Sequence, residues 1–535
     1  MRRMKGAAGL LTALLLAFQL SAQTFALANE DNGIKVVPVN FTHNGYSYEI
    51  EGVAKSTDGD YQIKSPARLA ARKLPSTYDP RSSGEITTVK DQASTGACWA
   101  FSALACAEQD LIKKGLENPS AEFSVPALVL SSNSGTATGK DDFSSGGNWL
   151  FAASALANGQ GLCYEDYEPF LESGTGNMIV SENKKSVSEY RLNYVMELSS
   201  TTQVKRKIME LGAVSASYFA GNGYMNHNNT AYYDPDASKN TIINHSVTVV
   251  GWDDNYSKDN FRYKPANNGA WLVKGSWGAD QDNDGFYWVS YDEAEFGQFC
   301  CYDFEESCDN TYHYSKMTGY VVNASNDGSV YGANVFTAKA DEKLDKAGFM
   351  YVGKTGCADY TLSVYTDVSD IDPIGVLETQ ISGLVSANGF YTVDFPEDIL
   401  LEEGEKYSIS VKFSGDSGRG YLLAESDRTS KAQSGQSYVS LNGKYWSDVG
   451  ADKTDSIGSL FIYAYTDDTA KPDKSSLETT LAKYGTLAGC EREANNARTV
   501  LADENASKND ISNAQKLLIS CLLYTSPSPR DRSVS

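Results

Sequence analysis

The sequence predicts a multi-domain chain: an α+β domain, then an all-β sandwich, then a short helical bundle. Three observations carry this. At 535 residues the chain is too long for one hydrophobic core, and three domains is the natural expectation. Between Leu74 and Phe304, helix-period stretches precede strand-rich runs, the order of an α+β domain with helices segregated from an antiparallel sheet. From Glu305 to Thr466 the pattern changes to short alternating strands, and after about Lys471 to helical spacing.

The helical expectations in the first domain are Ala100–Lys114, Asn148–Ala157 and Val204–Glu210. The strands are Val247–Trp252, Ala270–Val273 and Phe286–Tyr291. Phe101, Leu104, Ala105, Leu111 and Ile112 stand at near-helical spacing, with Lys113 and Lys114 in the last turn and Gly115 as a stop. In the β-region, Tyr407, Ile409, Val411 and Phe413 alternate with polar residues, as do Tyr391, Val393 and Phe395. Gly, Asn and Asp clusters separate the strands. Past the linker Lys471–Lys474, Ser475 with Glu478 reads as a capping box, and Leu477, Leu481 and Tyr484 as an apolar stripe.

The amino terminus reads as a targeting segment. Arg2, Arg3 and Lys5 form a basic start, Ala7 to Leu20 an apolar run, and Ala26-Leu27-Ala28 a cleavage pattern. Export is expected, with residues 1–28 removed and no later segment integral to a membrane. Residues 29–73 form a short leader, in which Asn44-Gly45 sits at the turn of a hairpin. The net charge of −23 disfavours nucleic acid and anionic lipid as partners. Nine cysteines show no dense disulfide framework and no CxxC pattern, so no metal and no cofactor is expected. The stretch Cys521–Arg532 resembles the translation of a sequencing-library adapter, so residues 521–535 are expected to be an artefact of that origin.

The chemistry concentrates at Gln92-Ala-Ser-Thr-Gly-Ala-Cys98-Trp99. A thiol is a good nucleophile as a thiolate, a form favoured where a Gly-containing turn feeds a helix N-terminus. Cys98 stands at such an end, so a lowered thiol pKa is expected. The Gln92 amide can join the Cys98 backbone N–H in holding an oxyanion. Such a nucleophile needs a base. Of four histidines, His43 lies in the leader, His313 beyond the first domain, and His227 in a polar loop. His245 opens an apolar strand that can fix its ring, and is the candidate.

These residues, taken in order, resemble the papain-like cysteine peptidases. The matching pieces are Leu74-Pro75, Asp79–Arg81, Val89–Gln92 with Cys98–Ser102, Ser145-Gly146-Gly147, Gly212–Ser215, Asn244-His245, Lys274–Gly278 and Gly285-Phe286. The resemblance covers about Leu74 to Tyr291. It implies a helical lobe beside an antiparallel β-barrel-like lobe, and peptide hydrolysis through an acyl-thioester. Cys98 would be the nucleophile, His245 the general base and acid, and Gln92 the oxyanion donor. Gly146 and Gly147 would pair with an extended protein or peptide substrate, and Trp277 would shield the site. Three departures stand out. Thr95 replaces a disulfide-forming cysteine. Gly275 stands where the family has an asparagine that orients the histidine, expected to act at Nδ1–H. The leader is shorter than a helical inhibitory propeptide. With Asn267 and Asn268 as substitute orienters, a slowed peptidase is expected, and Gly275→Asn is expected to raise turnover.

Asp280–Gly285 imitates the start of a calcium loop, but Tyr291 occupies the twelfth position, so acidic decoration is the preferred reading. Tyr331–Ala338, Tyr365-Thr366 and Gly404–Tyr407 resemble the lectin-like domain that follows papain-like peptidase domains in Firmicutes, which implies a cell-surface or host glycan as partner. Tyr445 and Trp446 are candidates to stack on sugar. Ala497–Ala506 resembles FIVAR-type modules of Gram-positive surface proteins. The expected domains are 74–304, 305–467 and 468–520. The expected function is a secreted or surface-displayed cysteine endopeptidase. The alternatives are an adhesin with a degenerate peptidase domain and a transpeptidase.

Overall fold

The computed structural model describes residues 74–525, apart from 133–142, 171–188 and several shorter stretches, together with three short strands between residues 34 and 47. The targeting segment at 1–28 and the tail beyond residue 525 lie outside the described residues. In the leader, Thr42–His43 pairs antiparallel with Tyr46–Ser47, the hairpin expected around Asn44-Gly45. The leader strand Ile34–Val37 pairs with Tyr320–Ser325, so the leader contributes a strand to a sheet formed after residue 304.

Four helices follow in the α+β half: α1 (Cys98–Lys114), α2 (Val125–Ser131), α3 (Trp149–Ala157) and α4 (Thr201–Leu211). The first starts two residues before the expected Ala100, because the Ala97 carbonyl already accepts from the N–H groups of Ala100 and Phe101. It ends at Gly115, whose φ of 74° lets its N–H return to the carbonyls of Leu111 and Ile112. Asn148 caps α3 through Leu150 and Phe151 N–H, and Ser200 caps α4 through Gln203 N–H.

The strands β1 (Tyr190–Leu198), β2 (Val214–Tyr218), β3 (His245–Asp253), β4 (Ala270–Lys274), β5 (Phe286–Ser290) and β6 (Gly297–Glu306) form one antiparallel sheet in the order β1-β6-β2-β3-β4-β5. One face packs on α1, whose Leu104, Ala107 and Leu111 are fully buried. The other carries Val247, Val249, Val273, Tyr287 and Val289 in a second core with Ile208 and Leu211 of α4.

The β-rich half is a sandwich. Its six-stranded sheet has Ala358–Thr366, Lys406–Ser414 and Ser329–Thr337 at its centre. The facing layer contains β7 (Glu342–Tyr351), β8 (Gly389–Leu401) and β9 (Ile462–Asp468). Phe413 meets Phe349 and Tyr351 across the layers at centroid distances of 5.2 and 4.8 Å.

The two halves share backbone. Strand β8 pairs with β1 through Gly389↔Met196, Phe390↔Val195 and Tyr391↔Tyr194, so one sheet of twelve described strands runs from β9 through β7, β8 and β1 into β5. The alternation pattern alone gave no sign of this, since it shows which face a strand buries but not which strand it joins. Side chains reinforce the seam. Arg191 is buried, pairs with Glu305 and lies 4.4 Å from the Tyr465 ring centroid. Glu197 accepts from Trp149 Nε1 and from Asn388 Nδ2, both at 3.0 Å.

Three helices close the described chain: α5 (Ser475–Tyr484), α6 (Glu491–Ala502) and α7 (Lys508–Thr525). Leu477 is buried among Ala494, Ala497, Ala514 and Leu518, with Leu481 and Tyr484 at the margin, as the stripe predicts. The expected capping box does not form. Ser475 is already inside the helix, and Asp473 instead accepts from its backbone N–H and hydroxyl at 2.9 and 2.8 Å. Helix α7 runs through Thr525, past the boundary expected at residue 521. Cys490 is disulfide-bonded, whereas Cys98, Cys106, Cys300, Cys301 and Cys357 are free thiols.

A Cβ at Gly389 would lie 2.1 Å from the Val195 carbonyl oxygen, so this glycine permits the seam. Gly389→Val should destabilise the chain by about 1–3 kcal/mol through overpacking. Calorimetry should then resolve separate transitions for the two halves; a single transition at the original midpoint would contradict this.

Candidate active site

The site lies where the start of α1 meets the start of β3. Residues 90–92 are drawn to the end of β4 by backbone hydrogen bonds: Gln92 N–H to Ser276 O at 2.7 Å and Gly278 N–H to Lys90 O at 3.1 Å. This bridge delivers the turn 92–97 to the strand side of the cleft. Within the turn, Thr95 donates its backbone N–H (3.1 Å) and its hydroxyl (2.8 Å) to the Gln92 carbonyl. Thr95 is buried. Its hydroxyl therefore braces the turn where a disulfide is missing. Ala93 takes a positive φ of 49°, and Asp91 Oδ1 holds its N–H at 2.8 Å.

Cys98 is the first residue of α1 and is half-buried. Its sulfur is not the acidic thiol expected from its helix position. Burial pushes the thiol pKa up, opposed by the backbone and hydroxyl of Ser246 and the backbone of Trp99, whose dipoles favour the thiolate. Desolvation wins over the helix terminus here, because the neighbouring groups that favour the thiolate are dipoles and none is a full charge.

His245 opens β3 and is 5% exposed. The dipoles of the next residue, Ser246, act on the Cys98 thiol, so the strand start lies beside the helix start. Behind them, Ser102 Oγ of α1 donates to Val247 O at 2.7 Å and fixes the helix against β3. Trp277 stacks on the imidazole at 4.4 Å with an interplanar angle of 8° and is itself 39% exposed. Burial pushes His245 down to about 3, so the ring is neutral at neutral pH. Its Nε2 is buried without a hydrogen-bond partner.

The expectation for Gly275 concerned Nδ1–H; the buried ring nitrogen without a partner is Nε2. Asn267 and Asn268 do not replace the missing amide. Both are exposed; Asn267 bonds Asp292, and Asn268 accepts from Lys258 N–H. A Cβ at Gly275 would lie 3.1 Å from the Gly285 carbonyl and 3.4 Å from Tyr287 Cε1. An asparagine there would press on the Gly285 carbonyl, which would have to give by a few tenths of an ångström.

Gln92 is buried and fixed at both ends. Its Oε1 accepts from Ser276 Oγ at 2.6 Å, and its Nε2 donates to Thr95 O at 2.8 Å, leaving the second amide hydrogen for another acceptor. Gly147 packs against Trp99; a Cβ there would lie 2.4 Å from the indole. Gly146 adjoins it, half-buried. The sequence reasoning missed Ser246 and Ser276. Each is adjacent in sequence to a residue it singled out (His245 and Gly275), and that adjacency was the available signal.

The other histidines stay apart: His227 is exposed, and His313 bonds the Ser315 carbonyl within the β-rich half. Among the described residues no group of three or more His, Cys, Asp or Glu side chains is placed to hold a metal. Residues Asp282–Gly285 of the calcium-like loop form a short 3₁₀ turn, and the Tyr291 hydroxyl bonds Asp254. No described helix is long and apolar enough to cross a membrane.

Two linked pH effects are expected. Because burial pushes the Cys98 thiol up, its alkylation by iodoacetamide, read against a Cys98→Ser control, should climb with pH only above the ordinary thiol range of about 8.5. A plateau on the acid side would indicate a resting thiolate–imidazolium pair instead. An unfolded histidine binds a proton near pH 6.5, but folded His245 does so only near 3. Stability should therefore fall as pH drops through that window, and His245→Gln should remove this part of the slope in denaturation midpoints.

The family of papain-like cysteine proteases matches residues 74–323, and a lectin-like domain matches residues 311–466. Cathepsin S of Bos taurus is 29% identical over 218 residues, covering 40% of this chain and 60% of the relative. Procathepsin L of Felis catus is 28% identical over 224 residues, covering 41% and 62%. The chain thus spans about three fifths of the length of these curated relatives. The crystal structure of the cysteine protease and lectin-like domains of Cwp84, a surface layer associated protein of Clostridium difficile, superposes with a TM-score of 0.65 at 26% identity. It covers 82% of this chain and 99% of that one. A second structure of the clostridial cysteine protease Cwp84, after propeptide cleavage, gives a TM-score of 0.63 at 28% identity, covering 74% and 99%.

Proposed function

This chain carries a papain-family cysteine protease domain joined to a lectin-like domain, and from that premise we propose that it is a cysteine endopeptidase of the bacterial cell surface. The observation that carries the reading is the meeting of Cys98, at the head of α1, with the start of β3, beside an amide held with a hydrogen to spare.

In this mechanism the substrate's scissile carbonyl enters beside Cys98. His245 takes the thiol proton as the sulfur attacks, and the carbonyl oxygen becomes an oxyanion. The Gln92 amide and the Cys98 N–H receive that charge. His245 then gives its proton to the departing amine, leaving an acyl-thioester. Water, deprotonated by the same ring, hydrolyses the thioester and restores the thiol. Because the resting pair is neutral, proton transfer accompanies attack and does not precede it, which makes the support of His245 decisive for rate. Gly146 and Gly147 offer bare backbone for an extended peptide, since glycine lets a strand approach the main chain closely.

The lectin-like domain would hold the peptidase near a surface glycan. The exposed Tyr445 ring, on a turn closed by Asn442, is suited to stack on a sugar. Export to the cell surface agrees with the surface layer association of the Cwp84 relative.

Cys98→Ser should abolish both peptide cleavage and labelling by a thiol-directed peptidyl inhibitor. Gln92→Ala should lower kcat by about 10²–10³ with KM little changed. If the unmutated chain neither cleaves peptides nor takes up the inhibitor, the endopeptidase reading is wrong and the adhesin reading, in which Gly275 marks a decayed site, takes its place. Acyl transfer to an added amine in preference to water would instead identify a transpeptidase.

A further inference from the structure

Tyr218 of β2 stands directly opposite His245 of β3, and Tyr287 of β5 opposite Val273 of β4. Side chains on a strand alternate, so residue 275 would project on the same face as Val273 and Tyr287. That face therefore lacks a side chain at Gly275, next to Tyr287. Two phenols meet on it. Tyr287 and Tyr218 are 3% and 1% exposed, and their hydroxyls are hydrogen-bonded at 2.9 Å. The Tyr287 ring lies 3.4 Å from the missing Cβ, and the Tyr218 ring meets the imidazole edge to face at 5.9 Å.

We propose that the Tyr218–Tyr287 hydroxyl pair positions His245, serving as the hydrogen-bond partner of Nε2 in place of a side chain at residue 275. This deepens the endopeptidase reading and rests on it. Two bonded hydroxyls keep unused lone pairs and one unshared hydrogen, so the pair can accept from Nε2–H or donate to a bare Nε2. An amide oxygen can only accept. The pair makes no hydrogen bond to Nε2 in the resting structure, where the ring is neutral. When His245 takes the thiol proton, both ring nitrogens carry hydrogen, and a buried Nε2–H of a cation needs an acceptor. The hydroxyl pair is the polar group on that face of the sheet with lone pairs to offer. Trp277 meanwhile stacks flat on the imidazole and holds its plane.

The test uses the full chain with Tyr287→Phe, Tyr218→Phe and the double variant, which keep the rings and remove the hydroxyls. Thermal midpoints verify folding. Each single change is expected to lower kcat for a peptide substrate about tenfold with KM within twofold, and to move the acid limb of the kcat/KM profile. The double variant should be no worse than the worse single, because the two hydroxyls act as one unit. Unchanged kcat and pH profile in both single variants would overturn the proposal. Should the variants not fold, 15N spectra of the unmutated chain, with His245 assigned by His245→Gln, decide instead. After Cys98 is capped with a peptidyl inhibitor, an Nε2–H protected from solvent exchange supports the pair, and a freely exchanging one overturns it. If the unmutated chain shows no cleavage, the endopeptidase reading fails, yet the 15N measurement still judges the Tyr–His contact.

Discussion

The Ser102 hydroxyl bond to the Val247 carbonyl holds the rest of the site in place. It is a buried side-chain-to-strand tie between an element that carries sulfur and an element that carries an imidazole, more than a hundred residues apart in the chain. Packing alone leaves a helix free to slide along a sheet by small increments, since apolar contact has no direction. A buried donor without its acceptor is penalised, so this bond fixes the register of α1 on β3. The bridge from residues 90–92 to 276–278 does the same for the oxyanion side, through backbone groups alone.

Around this frame the electrostatics run opposite to the simplest expectation for a thiol nucleophile. Both members of the pair are driven toward their neutral forms by burial, the thiol upward and the imidazole downward. Burial thus opposes charge separation between the two groups. It must be created against desolvation, which shifts the demand onto whatever stabilises an imidazolium. The absence of a side chain at Gly275 is therefore more consequential than it would be beside a preformed ion pair.

Much of this was legible in the sequence. The nucleophile turn, the helix behind it, the histidine strand and the shielding tryptophan each combine an unusual residue with a strong local pattern. Three helices of the α+β half, α1, α3 and α4, fell close to their expected spans because apolar spacing and stop or capping residues agree there, whereas the seven-residue α2 was not expected. What stayed hidden was long-range. Period-2 alternation identified the strands of the sandwich but not that β8 would pair with β1. The Ser475 cap failed because Asp473, two residues earlier, offers a carboxylate that competes for the same N–H. The fate of His245 Nε2 depends on Tyr218 and Tyr287, which read as ordinary core aromatics until the strand register sets them side by side.

The shared ladder between β8 and β1 has a mechanical consequence. Two domains on a flexible tether sample many mutual orientations, and the tether's length then decides what each can touch. Here hydrogen-bonded backbone crosses the boundary, and Arg191 and Glu197 pin it from either side. The cleft is consequently held at a constant bearing to any surface on which the sandwich rests. Which bonds it meets is set by geometry, as with a blade fixed to a plane.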